Sequence, residues 1–161
     1  MRIPGPFLIP ILLLLGASLP AQESGLRADA GRKLQARDYE GAIQDYQRAL
    51  AGLPSQDSAE AADLLLEISK TLYLKGDFGE AAARARSAVE ICRRVNGPKH
   101  PSVARALTAE AVAMLAAGEY EPASPLFEQA LAISRQDPGP ENRDTVSLME
   151  RYGVDLTRAG H

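Results

Sequence analysis

The chain has 161 residues, of which 45% are hydrophobic and 24% are charged, with a formal net charge of −3. Such usage is ordinary for one globular domain, and the slightly acidic balance offers no basic surface to nucleic acid or anionic lipid. Aromatic residues make up only 5% and tryptophan is absent. Because alanine is abundant, the composition favours closely packed helices over a sheet of β-branched and aromatic residues. We therefore predict an all-α protein that binds no nucleic acid.

Residues 1–21 have the three-part pattern of a secretory signal. Arg2 precedes an apolar run from Phe7 to Leu15, and small residues follow it up to Ala21. The run is about half of the ~20 apolar residues that a membrane-spanning helix needs, and prolines interrupt it. We predict cleavage after Ala21, export to the periplasm or the medium, and no stable membrane span afterwards. The alternative is an anchor formed by an uncleaved N-terminal segment.

Residue types that carry most catalytic and metal chemistry are scarce. Cys92 is the single cysteine, and His100 and His161 are the only histidines. A zinc site needs more such ligands, and neither GxGxxG nor GxxxxGK[ST] occurs to bind a nucleotide. His100 lies in the linker "NGPKHPSV", where it is expected to cap or pack at a junction between two helices. We predict no enzyme activity, no metal and no cofactor.

The body of the chain repeats itself. Aligning "RDYEGAIQDYQRAL", "GDFGEAAARARSAV" and "GEYEPASPLFEQAL" brings Tyr39, Phe78 and Tyr120 into register, at shifts of 39 and 42 residues. Another helical pattern precedes two of these aromatics and ends at a glycine, Gly76 or Gly118. Each unit is therefore predicted to be a hairpin of two helices, here called helix A and helix B.

Small residues mark the predicted contacts between these helices, because two helices come close only where the contact side chains are small. Larger residues, such as Leu65, Leu107, Tyr120 and Phe127, are expected to fill the space around them. The structural positions of the repeat are Leu65, Gly76, Phe78, Ala81 and Ala88 in one unit, and Leu107, Ala111, Gly118, Tyr120, Ala123, Phe127 and Ala130 in the next.

This pattern resembles the tetratricopeptide repeat, and the 42-residue spacing with the linker "GPKHPSVA" resembles the repeat of kinesin light chains. The resemblance implies a right-handed superhelix of stacked helical hairpins over residues 22–161. Its repeats would cover about 23–56, 57–98 and 99–140, with a half repeat at 141–161.

The resemblance also implies a concave surface lined by helix A, on which an extended peptide would bind. Arginines would meet its carboxylates, and apolar side chains would supply contact area. The residues carried over to this surface are Asp63, Leu66, Glu67, Lys70, Tyr73, Arg105, Val112, Arg151 and Arg158, accompanied by Arg27, Leu34, Gln35, Thr108, Leu115, Glu150 and Thr157. The implied function is a non-enzymatic scaffold or adaptor for a protein or peptide.

Two alternatives stay open for the function. One is a structural module that forms homo-oligomers through the C-terminal half repeat, and the other is the front part of a larger exported protein. Three charged residues, Asp29, Lys33 and Glu110, stand where the repeat is usually apolar, which predicts a weak first hairpin. Pro125 is expected at the fourth position of its helix, after an N-cap at Glu121.

Overall fold

The computed structural model describes residues 19–136 together with Ser147, Glu150 and Gly153, and residues 19–136 contain six α-helices and no strand. Each helix packs mainly on its neighbours in sequence, so the helices form three hairpins stacked in chain order. The predicted all-α stack of hairpins is confirmed. The helices are α1 (Leu19–Gln35), α2 (Tyr39–Gly52), α3 (Ala59–Lys75), α4 (Phe78–Asn96), α5 (Pro101–Ala116) and α6 (Tyr120–Ser134).

Glycines with positive φ form two of the hairpin turns. Gly76 follows α3 with φ of 100°, and Gly118 follows α5 with φ of 84°. In both turns the amide after the glycine donates to the carbonyl five residues earlier, at 2.9 Å. This bond satisfies a carbonyl that the end of the helix would otherwise leave without a donor. Both glycines predicted to end helix A therefore lie at the turn.

The first hairpin makes the same turn without a glycine. Arg37 has φ of 61° and is the one non-glycine residue with positive φ within the described part of the chain. The Asp38 amide donates to the Lys33 carbonyl at 2.9 Å, which repeats the pattern of the glycine turns. A side chain in this conformation crowds the following carbonyl oxygen. The positive φ of Arg37 therefore lowers the stability of the protein.

The linker before α5 is held by His100. Its Nδ1 atom accepts from the Ser102 amide at 3.2 Å, and Pro101 takes the first helical position. Proline suits this position because its missing N–H would have had no partner there. His100 is therefore the N-cap of α5, as the linker sequence predicts, and α4 ends before it at Gly97.

Alanines form the contacts between the helices. The five alanines predicted as contacts are 0% exposed, while Leu65, Leu107 and Phe127 are buried around them. Tyr120, which was expected to fill space beside them, is instead 38% exposed. It is the first residue of α6 and lies on the last hairpin of the described stack. The five alanines are Ala81, Ala88, Ala111, Ala123 and Ala130.

Charged residues at two normally apolar positions have partners on a neighbouring helix. Glu110 of α5 is 4% exposed and accepts from Arg86 Nε of α4 at 2.7 Å. Lys33 of α1 pairs with Asp45 of α2, which is 3% exposed. A buried charge is tolerated when a partner offsets its lost hydration. The third, Asp29, pairs with Arg32 at the surface.

Helix α6 begins earlier than the proline pattern suggested. Its N-cap is Glu119 rather than Glu121, so Pro122 is the third helical residue and Pro125 the sixth. The expected fourth position of Pro125 is therefore wrong. Proline lacks the N–H that would donate to the carbonyl four residues earlier. Both Pro125 and Glu121 are exposed, which lets water replace the missing bond.

Replacing Arg37 with glycine is expected to raise the free energy of unfolding by about 0.5 to 1 kcal/mol, because glycine adopts positive φ without crowding. Urea denaturation measures the change. Gly76→Ala at the matched turn is expected to lower the free energy of unfolding. An added Cβ meets nothing within 4 Å there, so the φ of 100° alone disfavours the alanine. Unchanged stability in Arg37→Gly would contradict the cost assigned to this turn.

Ala123→Leu is expected to lower the free energy of unfolding by about 1 to 3 kcal/mol through overpacking. Ala123 is 0% exposed, whereas Ala132 on the same helix is exposed and provides the matched control Ala132→Leu. Thermal melts should show a lower Tm for the first variant and a Tm close to wild type for the second. Equal melting of Ala123→Leu and wild type would mean that α6 does not contact α5 at this residue.

Candidate binding groove

Helices α1, α3 and α5 line a cavity of about 870 Å³ along the stack. These are the helix A elements of the three hairpins. Along α3 the lining residues Leu66, Lys70 and Tyr73 are spaced at i, i+4 and i+7, which places them on one side of the helix. The size lies within the range of ~300–1,000 Å³ that is usual for ligand sites.

The 42-residue period of the sequence determines which residues of α3 and α5 lie side by side. Asp63 and Arg105 stand at the same position of successive hairpins, and the cavity is lined by both. Leu66 is matched in the same way by Thr108, which also lines the cavity. Because α3 and α5 stack in this register, equivalent positions of these two helices align across the groove.

Most of the predicted surface residues come together here. Seven of the nine principal ones line the cavity, and so do Arg27 and Thr108. Arg151 and Arg158 lie outside the described residues, as does Thr157, while Glu150 is described and exposed. The seven that line the cavity are Asp63, Leu66, Glu67, Lys70, Tyr73, Arg105 and Val112.

Three predicted residues within 19–136 do not line the cavity. Leu34 and Leu115 are partly buried and pack against the hydrophobic core. Gln35 is exposed and is the last residue of α1. Leu34 and Gln35 stand near the turn into α2, and Leu115 stands near the turn into α6. Leu115 is equivalent to Tyr73 of α3, so nearness to a hairpin turn does not by itself decide which residues line the cavity.

Tyr46 is the main groove residue that the sequence pattern missed. It belongs to α2, a helix B, and only helix A residues were expected on this surface. The equivalent residue of the next hairpin is Ala85, which is too short to reach the cavity. The size of the Tyr46 ring was the one available signal. Leu64, Ser69, Ala109 and Ala113 also line the cavity and were missed.

The pKa of the Tyr46 hydroxyl is raised above its ordinary value. Burial is the main cause, the nearby carboxylate of Glu67 adds to it, and the positive charge of Arg27 opposes it. Tyr46 therefore stays protonated at neutral pH and can donate a hydrogen bond at the α1 end of the groove.

Charged side chains of the groove pair with one another. Arg105 of α5 donates to Asp63 of α3, and both side chains are 50% exposed. Lys70 Nζ lies 3.9 Å from a Glu67 oxygen. Exposed pairs of this kind contribute only about 0 to 1 kcal/mol. A charged ligand can therefore displace either partner at little cost.

Cations outnumber carboxylates in this lining. Arg27, Lys70 and Arg105 face Asp63 and Glu67. Arg27 forms no ion pair within the part of the chain that the structure describes. The groove therefore offers a positive end at α1, although the protein as a whole carries a net charge of −3.

An apolar strip runs between the charges. Leu66, Tyr73 and Val112 are partly buried and lie against the core. The Tyr73 ring is held by Phe78 of α4, with ring centroids 5.3 Å apart and the planes inclined at 58°. Such edge-tilted aromatic contacts are favourable. The strip thus presents a fixed aromatic ring to a ligand.

Residues that could hold a metal are not grouped in the described part of the structure. No set of three or more His, Cys, Asp and Glu side chains lies close enough together there to hold an ion. Cys92 is a buried free thiol of α4, and His100 is occupied as a helix cap. The groove therefore offers a ligand its shape, its apolar side chains and its charges.

Within residues 19–136 and the three further described residues, no helix has the length and apolar character needed to cross a membrane.

Comparison with known proteins finds similarity to a repeat family over part of the chain and a likeness of fold. Residues 60–136 match the family model of the tetratricopeptide repeat. No curated protein matches the chain significantly. Three solved structures resemble this chain at identities of 17–19%, which makes this a likeness of fold alone.

The N-terminal domain of stress-induced protein-1 (STI-1) from C. elegans aligns with a TM-score of 0.62 and 18% identity, covering 83% of this chain and 98% of that one. A tpr-like protein from Chlorobium tepidum gives a TM-score of 0.68 and 19% identity, covering 89% and 98%. The Sgt2 TPR domain from Aspergillus fumigatus gives 0.60 and 17%, covering 87% and 84%. The family match covers α4, α5, α6 and nearly all of α3.

Proposed function

We propose that this chain is a non-enzymatic scaffold or adaptor that binds an extended segment of a protein partner in the groove of α1, α3 and α5. The observation that carries the proposal is the cavity of about 870 Å³, which combines an apolar strip with exchangeable charges. The tetratricopeptide match supports a protein-interaction role.

The shape of the groove favours an extended peptide over a compact small molecule. It crosses three neighbouring helices rather than closing around one point. Helices spaced about 10 Å apart span about 20 Å in total. An extended chain advances ~3.3 Å per residue, so a segment of about six residues would cross the groove.

The chemistry of the lining indicates what such a segment would carry. An apolar side chain would pack on Leu66, Tyr73 and Val112, and a carboxylate would be held by Arg105 or Arg27. Arg105 would then exchange Asp63 for the carboxylate of the partner. Because both side chains of the Arg105–Asp63 pair are half exposed, breaking this pair costs little free energy.

We further propose that the repeats are of the kinesin-light-chain type. The 42-residue spacing supports this, as does the linker from Gly97 to Ala104. In this linker His100 caps α5 and Pro101 occupies its first position, so both residues have a structural reason to be there.

We also propose that the protein is exported and loses residues 1–21. Helix α1 begins at Leu19, so cleavage after Ala21 would leave a helix that starts at Gln22. The mass of the intact extracytoplasmic protein is expected to correspond to a chain beginning at Gln22. A mature protein that keeps Arg2 would contradict cleavage and indicate an N-terminal anchor instead.

Selection from a phage-displayed library of random dodecapeptides tests the groove. The probe is the synthetic peptide that wild-type protein binds most tightly. Arg105→Glu is expected to raise its Kd about tenfold or more, equivalent to ~1.4 kcal/mol, because a charge facing the peptide is reversed. Arg94→Glu is the matched control, since Arg94 also is half-exposed and pairs with an aspartate, Asp57, but lies outside the groove.

Equal loss of binding in Arg105→Glu and Arg94→Glu would mean that the effect is not specific to the groove. Unchanged binding in Arg105→Glu and in a second groove variant, Lys70→Glu, would place the peptide on another surface. Circular dichroism of each variant establishes that the helices are intact before binding is compared.

A further inference from the structure

The two carboxylates of the groove both belong to its central helix. Asp63 and Glu67 lie about one turn apart on α3, and both line the cavity. Each flanking helix brings a cation instead, Arg27 from α1 and Arg105 from α5. The charges that line the groove therefore alternate in sign from one helix to the next, positive on α1, negative on α3 and positive on α5.

One carboxylate of α3 has its partner on the same helix. Lys70 Nζ lies 3.9 Å from a Glu67 oxygen, and a ligand that crosses α3 can leave this pair intact. Asp63 is paired across the groove with Arg105, so a ligand carboxylate that binds Arg105 takes the partner of Asp63 away. Three charges of alternating sign are thus left for a ligand, those of Arg27, Asp63 and Arg105.

A bound segment raises the free-energy cost of an unpaired charge in the groove. Asp63 is half exposed in the open groove, where water solvates it. A segment lying over the groove excludes that water, and a ligand carboxylate on Arg105 then leaves Asp63 covered, unpaired and beside a like charge. A cationic side chain opposite Asp63 removes this penalty. The groove therefore disfavours a segment that carries acidic residues alone.

The distance between the helices sets the spacing of the matching charges. Helices about 10 Å apart present their side chains at that interval. A polyproline II segment has three residues per turn and rises ~3.1 Å per residue, so every third side chain lies on one face at intervals of ~9 Å. In a β-strand, residues three apart point to opposite faces. The spacing therefore favours a polyproline II segment.

We propose that the partner segment is a polyproline II stretch with an acidic, a basic and an acidic residue at every third position, which pair with Arg27, Asp63 and Arg105. This inference rests on the proposed function, because it uses the same groove. The lining carries one more positive than negative charge, and such a segment carries one more negative. Apolar residues between the charges would pack on Leu66 and Val112.

Three synthetic heptapeptides test the proposal. Their termini are acetylated and amidated so that only side chains carry charge. The alternating peptide is Glu-Pro-Leu-Lys-Pro-Leu-Glu, the permuted peptide is Lys-Pro-Leu-Glu-Pro-Leu-Glu, and the acidic peptide is Glu-Pro-Leu-Glu-Pro-Leu-Glu. Isothermal titration calorimetry with the full chain is expected to give the alternating peptide a Kd about tenfold lower than either of the others.

Asp63→Lys reverses the central charge and is expected to reverse the preference. The alternating peptide should bind about tenfold more weakly and the acidic peptide more tightly than to wild type. A damaged fold would weaken both peptides together. Asp57→Lys is the matched control, because Asp57 is also an exposed aspartate paired with an arginine but lies outside the groove. If Asp63→Lys does not fold, Asp63→Asn should give the alternating and acidic peptides equal Kd values.

Equal Kd values of the alternating peptide and either other peptide in wild type would overturn the alternating pattern. Failure of the alternating peptide to bind, while the library-selected dodecapeptide binds, would overturn it as well. In both cases the proposed function stands as long as Arg105→Glu weakens binding of the dodecapeptide. A dodecapeptide that binds Arg105→Glu and Lys70→Glu as tightly as wild type would refute the proposed function, and this inference with it.

Discussion

Close contact between helices at alanines is the constraint on which the rest of the structure depends. Ala81 and Ala88 of α4 and Ala111 of α5 have no exposed surface, and the neighbouring helices approach at these points. Since the contact residues recur with the repeat, the two helices of each hairpin pack on each other in a similar way. Residues of α3 and α5 that are 42 apart in sequence therefore lie side by side. The groove exists because equivalent helices are set side by side.

Charges in this fold have two different roles. Asp45 and Glu110 are buried, and each is neutralised by a cation from a neighbouring helix, Lys33 or Arg86. Loss of Arg86 would leave Glu110 as an uncompensated buried charge, which is strongly unfavourable. The pair of Asp63 with Arg105 is half exposed and crosses the groove. Its weak pairing leaves it available to a ligand.

The two ends of the described stack differ in how they meet solvent. At α1 the groove ends in Arg27 and the protonated hydroxyl of Tyr46, which are polar groups suited to a ligand or to water. At α6, Leu131 is partly buried, and the buried Ser134 hydroxyl has no hydrogen-bond partner among the described residues. Stacked repeats need a polar outer face at their last helix.

The sequence by itself determined the helical hairpins, the turn glycines Gly76 and Gly118, the cap at His100 and the side of α3 that faces the groove. These follow from local signals, because periodicity and capping act within one helix or one turn. Only the tertiary structure decided that Tyr46 enters the groove from a helix B, that Arg105 pairs with Asp63, and that Arg37 turns without glycine. Such features depend on distances between helices, which a pattern along one chain does not contain.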